Sequence, residues 1–123
     1  MVELNQLYKC SVCGNIVEVT HVGGGNLVCC GKAMNLLVEN SVEASIEKHK
    51  PIIEETSEGT YIRVGLIPHP MEEKHYIEFI EAFVEGKVFR KYLHAGEKPE
   101  MFVSEKKVTI ARAYCNLHGL WKN

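Results

Sequence analysis

Four of the chain's five cysteines fall within its first thirty residues, as Cys10-Ser11-Val12-Cys13 and the adjacent pair Cys29-Cys30. No other feature limits the fold so tightly. The stretch 1–37 that holds them is too short to bury a self-sufficient core, so its folding needs a metal or a partner. Its short β-branched pieces, Ile16-Val17 and Leu27-Val28, are separated by Gly14, the run Gly23-Gly24-Gly25 and Gly31. That pattern predicts small hairpins and turns. Gly14 and Gly31 each follow a cysteine pair, where the backbone must curl around a ligand and tolerate positive φ.

Four thiolates bind zinc or iron tetrahedrally. The Cys-x-x-Cys half is a common metal knuckle. The adjacent half is unusual, because a zinc ribbon spaces its second pair by two residues, and neighbouring side chains on one ion imply a distorted tetrahedron. An iron that passes one electron and a zinc that staples the fold both accept these ligands. A disulfide framework is the poorer explanation. The cysteine count is odd, and residues 1–6 lack the basic start and apolar run of a secretory signal. The chain is therefore expected in the cytoplasm, where thiols stay reduced. No apolar run approaches the ~20 residues that span a bilayer. The net charge of −2 argues against a nucleic-acid groove or a basic membrane-binding face.

From Val38 onward the pattern is strand after strand, over 42–46, 51–55, 61–67, 76–84, 87–93, 101–104 and 107–114. Turn signals such as Ser57-Glu58-Gly59 and Lys98-Pro99 fall between them. Strands at this spacing predict a β-sandwich. The expected architecture is all-β, with a small metal-binding domain over 1–37 and a seven-stranded sandwich over 38–123. One segment is ambiguous. Tyr76, Phe79, Ile80 and Phe83 recur at helical spacing, but aromatic and β-branched content and the Glu85-Gly86 link favour a strand entering a hairpin. In 107–114, Val108, Ile110 and Tyr114 are expected on one face.

A second constellation lies in this larger part: Glu47-Lys48-His49, Pro68-His69-Pro70-Met71-Glu72-Glu73-Lys74-His75, and Tyr114-Cys115-Asn116-Leu117-His118-Gly119-Leu120-Trp121. His49, His69, His75, His118 and Cys115 make a nitrogen-rich donor set with one sulfur. Imidazoles suit iron, zinc, copper and nickel, and one thiolate adds electron density to a redox metal. Pro68 and Pro70 restrict the backbone on both sides of His69. Five donors around an ion that accepts six leave one position open, as a catalytic metal requires. Plainer roles exist for each residue. A lone histidine is usually a surface or hydrogen-bonding group, the class assigned to His21 and His94. Cys115 alone fits a buried apolar cysteine, and Trp121 fits core packing.

Taken in order along the whole chain, these motifs resemble the desulfoferrodoxin family, the two-iron class of superoxide reductase. The resemblance implies that Cys10, Cys13, Cys29 and Cys30 bind a rubredoxin-like iron in a desulforedoxin-like domain. It implies an immunoglobulin-like β-sandwich whose iron takes four equatorial imidazoles, from His49, His69, His75 and His118, with Cys115 axial. The implied activity is one-electron reduction of superoxide to hydrogen peroxide at that ferrous site, without oxygen release. Glu47 would occupy the sixth position in the oxidised resting state, and Lys48 would lie beside the open position in the reduced enzyme. The implied cofactors are two iron ions per chain, and the implied partners are rubredoxin or a similar reductant and a second copy in a homodimer. The alternative is a non-catalytic electron carrier working through the four-cysteine iron; a zinc-stapled module and a superoxide dismutase are further competitors.

Overall fold

The structure is a computed structural model; it describes residues 2–40 and 46–123, with side chains for all of these except residues 46 and 47. Two compact units divide the chain, Met1–Val38 and Glu39–Asn123.

The first unit contains five short strands: β1 (Leu7–Lys9), β2 (Ile16–Glu18), β3 (Val28–Cys29), β4 (Lys32–Ala33) and β5 (Asn35–Leu36). They form a three-stranded sheet in the order β2-β1-β5 and a separate hairpin of β3 with β4. Leu7, Cys10 and Val19 are its buried apolar residues among those described. That is little core for a fold, as its length requires.

In the second unit Asn40 bridges to Trp121, and the first described element is one helical turn, α1 (Ile46–His49). The strand expected over 42–46 falls mainly on residues outside the described ones, and its last residue, Ile46, opens this turn instead. Pro51 ends the turn, because a residue before proline is pushed out of the helical region. Seven strands follow: β6 (Pro51–Glu55), β7 (Thr60–Val64), β8 (Ile77–Val84), β9 (Lys87–Tyr92), β10 (Glu100–Val103), β11 (Ile110–Cys115) and β12 (Gly119–Lys122). Residues 76–84 thus contain the strand β8 rather than a helix. β12 was not among the expected strands; it pairs with β11 from Arg112↔Lys122 to Cys115↔Gly119.

All neighbouring strands in these sheets are antiparallel, in the orders β10-β7-β6 and β12-β11-β8-β9. One core fills the space between the sheets: Ile62 and Val64 of β7 and Met101 and Val103 of β10 meet Ile80 and Ala82 of β8 and Ala111 and Ala113 of β11. This is a β-sandwich, held by burial of both inner faces. Val108 joins that core, whereas Ile110 and Tyr114 lie opposite Phe83 and Phe79 on the other face of their sheet. The expected shared face therefore holds for Ile110 and Tyr114 and fails for Val108, which precedes the strand.

The outer face of β8 is buried too, and it carries a charge. Glu81 is fully buried; Arg112 Nε donates to its Oε1 at 2.8 Å and Arg90 Nε to its Oε2 at 2.8 Å. Two guanidiniums on one carboxylate supply the pairing that a buried charge needs. Among the described residues no helix is long and apolar enough to cross a membrane.

Candidate metal centres

In the first unit, the chain leaves β1 at Cys10 and turns back at once. Cys10 N–H donates to Asn15 O at 2.9 Å, and Gly14 N–H donates to Cys10 O at 3.0 Å. Gly14 has a φ of 83°, which closes the knuckle without a Cβ penalty. The N–H groups of Val12 and Cys13 both point at Cys10 Sγ, at 3.4 Å each. These N–H groups, Cys13 first, hold the Cys10 thiol down to about 6 from its usual 9.0, against the opposing effect of burial.

The adjacent cysteines sit on a hairpin turn. Cys29 pairs with Lys32, so Cys30 and Gly31 form a two-residue loop, with φ of 53° and 74°. Both angles are positive, as the turn that suits strand twist demands. Cys29 ends a strand and Cys30 occupies the first turn position, which lets neighbouring side chains address one point. Cys13 Sγ lies 3.6 Å from Cys29 Sγ, and Cys29 Sγ lies 4.0 Å from Cys30 Sγ. Metal–sulfur bonds of about 2.3 Å place tetrahedral sulfurs about 3.8 Å apart, so the spacing fits one ion. All five cysteines are free thiols. Sulfur–hydrogen contacts with Cys13 and Cys10 push Cys29 up to about 12. Four sulfurs this close ionise together only with a cation between them.

In the second unit the donors gather at one end of the sandwich. His49 closes α1 just before β6. His69 and His75 lie in the connection from β7 to β8, while Cys115 ends β11 and His118 sits in the turn to β12. That end is fixed by the pairing of Pro51 with Val64 in one sheet and of Cys115 with Ile77 in the other.

The four imidazoles form a square. Neighbouring ring centroids are 4.7 Å apart for His49 and His69, 4.8 Å for His69 and His75, 5.0 Å for His75 and His118, and 4.7 Å for His118 and His49. The diagonal from His49 to His75 is 6.5 Å, close to a square's ratio of diagonal to side. Neighbouring planes stand at 66° to 81° to one another, like blades around an axis. His49 Nε2 and His118 Nδ1 are 3.1 Å apart, and Cys115 Sγ is 3.6 Å from His118 Nδ1. Bonds of about 2.1 Å to one ion set adjacent nitrogens about 3.0 Å apart. One donor atom from each of the five residues lies within 4.8 Å of every other.

His69 Nε2 and His75 Nε2 are buried and have no hydrogen-bond partner. A buried lone pair without a partner is costly, and two of them aimed into one cluster fit a cation there. His69 Nδ1–H donates to Pro70 O at 2.7 Å, which fixes the tautomer that leaves Nε2 free to bind. Burial pushes the His69 pKa down to about 4, opposed by that hydrogen bond and aided by the neighbouring histidines, so the ring stays neutral. Burial raises the Cys115 thiol, and the N–H groups of Leu117 and His118 counter it by donating to the sulfur.

Sequence reasoning gave Trp121 a packing role only. The indole is buried, stacks on His49 at 4.8 Å and 19°, and donates Nε1–H to His118 O at 3.1 Å. It thus braces two of the five donors, and its place three residues after His118 was the available signal. Lys48 is exposed beside His49 on α1, and the side chain of Glu47 lies outside the described residues. His21 and His94 are exposed and belong to neither cluster.

The model of the desulfoferrodoxin N-terminal domain matches residues 2–37, and that of desulfoferrodoxin matches residues 41–123. The chain belongs to the desulfoferrodoxin family. It is 54% identical over 127 residues to the desulfoferrodoxin of Syntrophotalea carbinolica, covering 100% of this chain and 98% of that one. It is 34% identical over 97 residues to a superoxide reductase of Thermococcus kodakarensis, covering 63% of this chain and 84% of the relative. The superoxide reductase from Treponema pallidum shares the fold, with a TM-score of 0.78 at 23% identity over 98% of this chain and 97% of that one. Desulfoferrodoxins bind two irons, and both donor sets are present here, four cysteines in one and four histidines with one cysteine in the other.

Proposed function

We propose that this desulfoferrodoxin is a superoxide reductase, converting one superoxide, one electron and two protons into one hydrogen peroxide without releasing oxygen. The observation that carries the reading is the square of imidazoles with the Cys115 sulfur among its donors. An ion held by these five donors would have room to take a small anion as well. The iron, when bound, supplies the electron. His49, His69 and His75 would hold it through Nε2 and His118 through Nδ1, with Cys115 as the sulfur ligand. The N–H groups of Leu117 and His118 temper the charge on that sulfur.

Lys48 draws superoxide in. The chain is negative overall, so attraction for an anion has to be local. Glu47 would be a further, exchangeable carboxylate ligand for that iron. Residues 1–37 form a desulforedoxin-like domain in which Cys10, Cys13, Cys29 and Cys30 hold the first iron, and residues 38–123 form the reductase domain. A rubredoxin-like protein supplies electrons to a cytoplasmic homodimer.

The test is the peroxide yield from pre-reduced, iron-loaded protein without oxygen. One peroxide per superoxide supports reduction. One peroxide per two superoxides with oxygen evolved means dismutation, and a rate equal to the protein-free blank favours an electron carrier.

A further inference from the structure

The ladder between β8 and β11 breaks where the second metal cluster begins. Tyr114 pairs with Phe79, but Cys115 pairs with Ile77, so Glu78 has no opposite residue. A bulge of this kind bends the strand and leaves backbone groups that the ladder no longer serves. Asn116 serves them. Its backbone N–H donates to Tyr76 O at 3.2 Å. Its Oδ1 accepts the Tyr76 N–H at 3.0 Å, and its Nδ2–H donates to Lys74 O at 2.9 Å. One amide therefore grips the chain on both sides of His75, while its own neighbour in sequence is Cys115. The loop it grips is a closed turn, because His75 and Glu72 exchange backbone hydrogen bonds at 3.1 and 3.0 Å.

We infer that Asn116 is a positioning residue that locks the imidazole of His75 to the sulfur of Cys115, without touching iron or substrate itself. This rests on the reading of His75 and Cys115 as ligands of one iron. The position needs a donor and an acceptor on a short stem, which is the asparagine side chain. An aspartate keeps the acceptor for Tyr76 N–H but loses the donor to Lys74 O, and an alanine keeps neither. Without the amide, the turn of residues 72–75 retains its own hydrogen bonds, but residues 74–76 lose two of their three hydrogen bonds to Asn116.

The test uses the full chain loaded with two irons, as wild type, Asn116→Asp and Asn116→Ala, titrated with a chelator. Iron per chain and the visible absorption of each centre are followed, and the four-cysteine iron of the same molecule is the internal reference. Asn116→Ala is expected to release the second iron at chelator concentrations about 10- to 100-fold lower, with Asn116→Asp in between. The ferric thiolate absorption of the second centre should shift in both, while the first centre stays unchanged. Second-site retention and absorption equal to wild type in both variants would overturn the inference, as would parallel loss of both irons, which signals general unfolding. If Asn116→Ala does not fold, Asn116→Asp alone decides by the same two readings. A wild-type second centre with no thiolate absorption would instead remove the five-donor reading on which the inference stands.

Discussion

His69 shows how one buried residue ties metal binding to acidity. Its folded pKa, near 4, lies below the ordinary 6.5, chiefly because the ring is buried. The unfolded chain therefore takes up that proton first. For the metal-free protein, the contribution of His69 to stability is intact above pH 6.5 and is lost as pH falls towards about 4. The melting temperature of metal-free protein should decline over that window, and the His69 ring resonances should stay neutral down to about pH 4. Titration of that ring near 6.5 would contradict this. Lys48 makes a different prediction. Removing one unit charge a few ångströms from an anion's path in water costs about 1 kcal/mol, roughly a fivefold rate. Lys48→Ala should slow the second-order reaction with superoxide by about that factor at low salt and flatten its ionic-strength dependence. An unchanged rate at low salt would remove Lys48 from the mechanism. The identities of the donors were legible in the sequence, because histidines and cysteines clustered in short motifs are few. The nitrogen each histidine presents was not. It depends on contacts such as the Pro70 carbonyl on His69 Nδ1, which only the folded loop creates.

Between β8 and β9 the chain reverses in two residues, Glu85 and Gly86, with φ of 45° and 78° and the flanking pair Val84↔Lys87. A Cβ placed on Gly86 meets nothing within 4 Å, so a substitution there tests the backbone alone. Gly86→Ala should destabilise the second unit by about 1–2 kcal/mol, the cost of a left-handed L-residue, with iron content unchanged. Denaturant titration reads this, and no loss of stability would contradict the turn geometry. The same hairpin explains why the sequence was ambiguous at β8. Phe79 and Phe83 lie on the outer face and Ile80 on the core face, and the Glu78 bulge shifts the alternation, so a doubly buried strand imitates helical spacing. Glu81 is buried with its charge because Arg90 and Arg112 converge on it from neighbouring strands, a pairing that no single stretch of sequence displays. Short β12 was hidden because its residues read as part of a ligand loop, and only pairing with β11 makes them a strand.

At the scale of the molecule, the two units differ in what holds them together. The second has thirteen buried residues in one core cluster, enough to fold by apolar burial. The first buries Leu7, Cys10 and Val19 among its described residues, so much of its folding free energy has to come from metal binding. Cys13 is exposed, and replacing it by serine removes one sulfur ligand without opening a core cavity. Cys13→Ser should lower iron from two per chain towards one. Amide exchange should then accelerate across β1, β2 and β5, because that sheet has little else to close it. The melting transition of the second unit should stay in place, since none of its core residues belongs to residues 1–38. Under the proposed activity, peroxide yield per superoxide should remain one in a single turnover of pre-reduced protein. Loss of the second iron together with the first would show that the two centres depend on each other for stability. Preserved exchange protection in the first unit would show that its small sheet holds without the metal, against the reading that the cysteine cluster is what limits its fold.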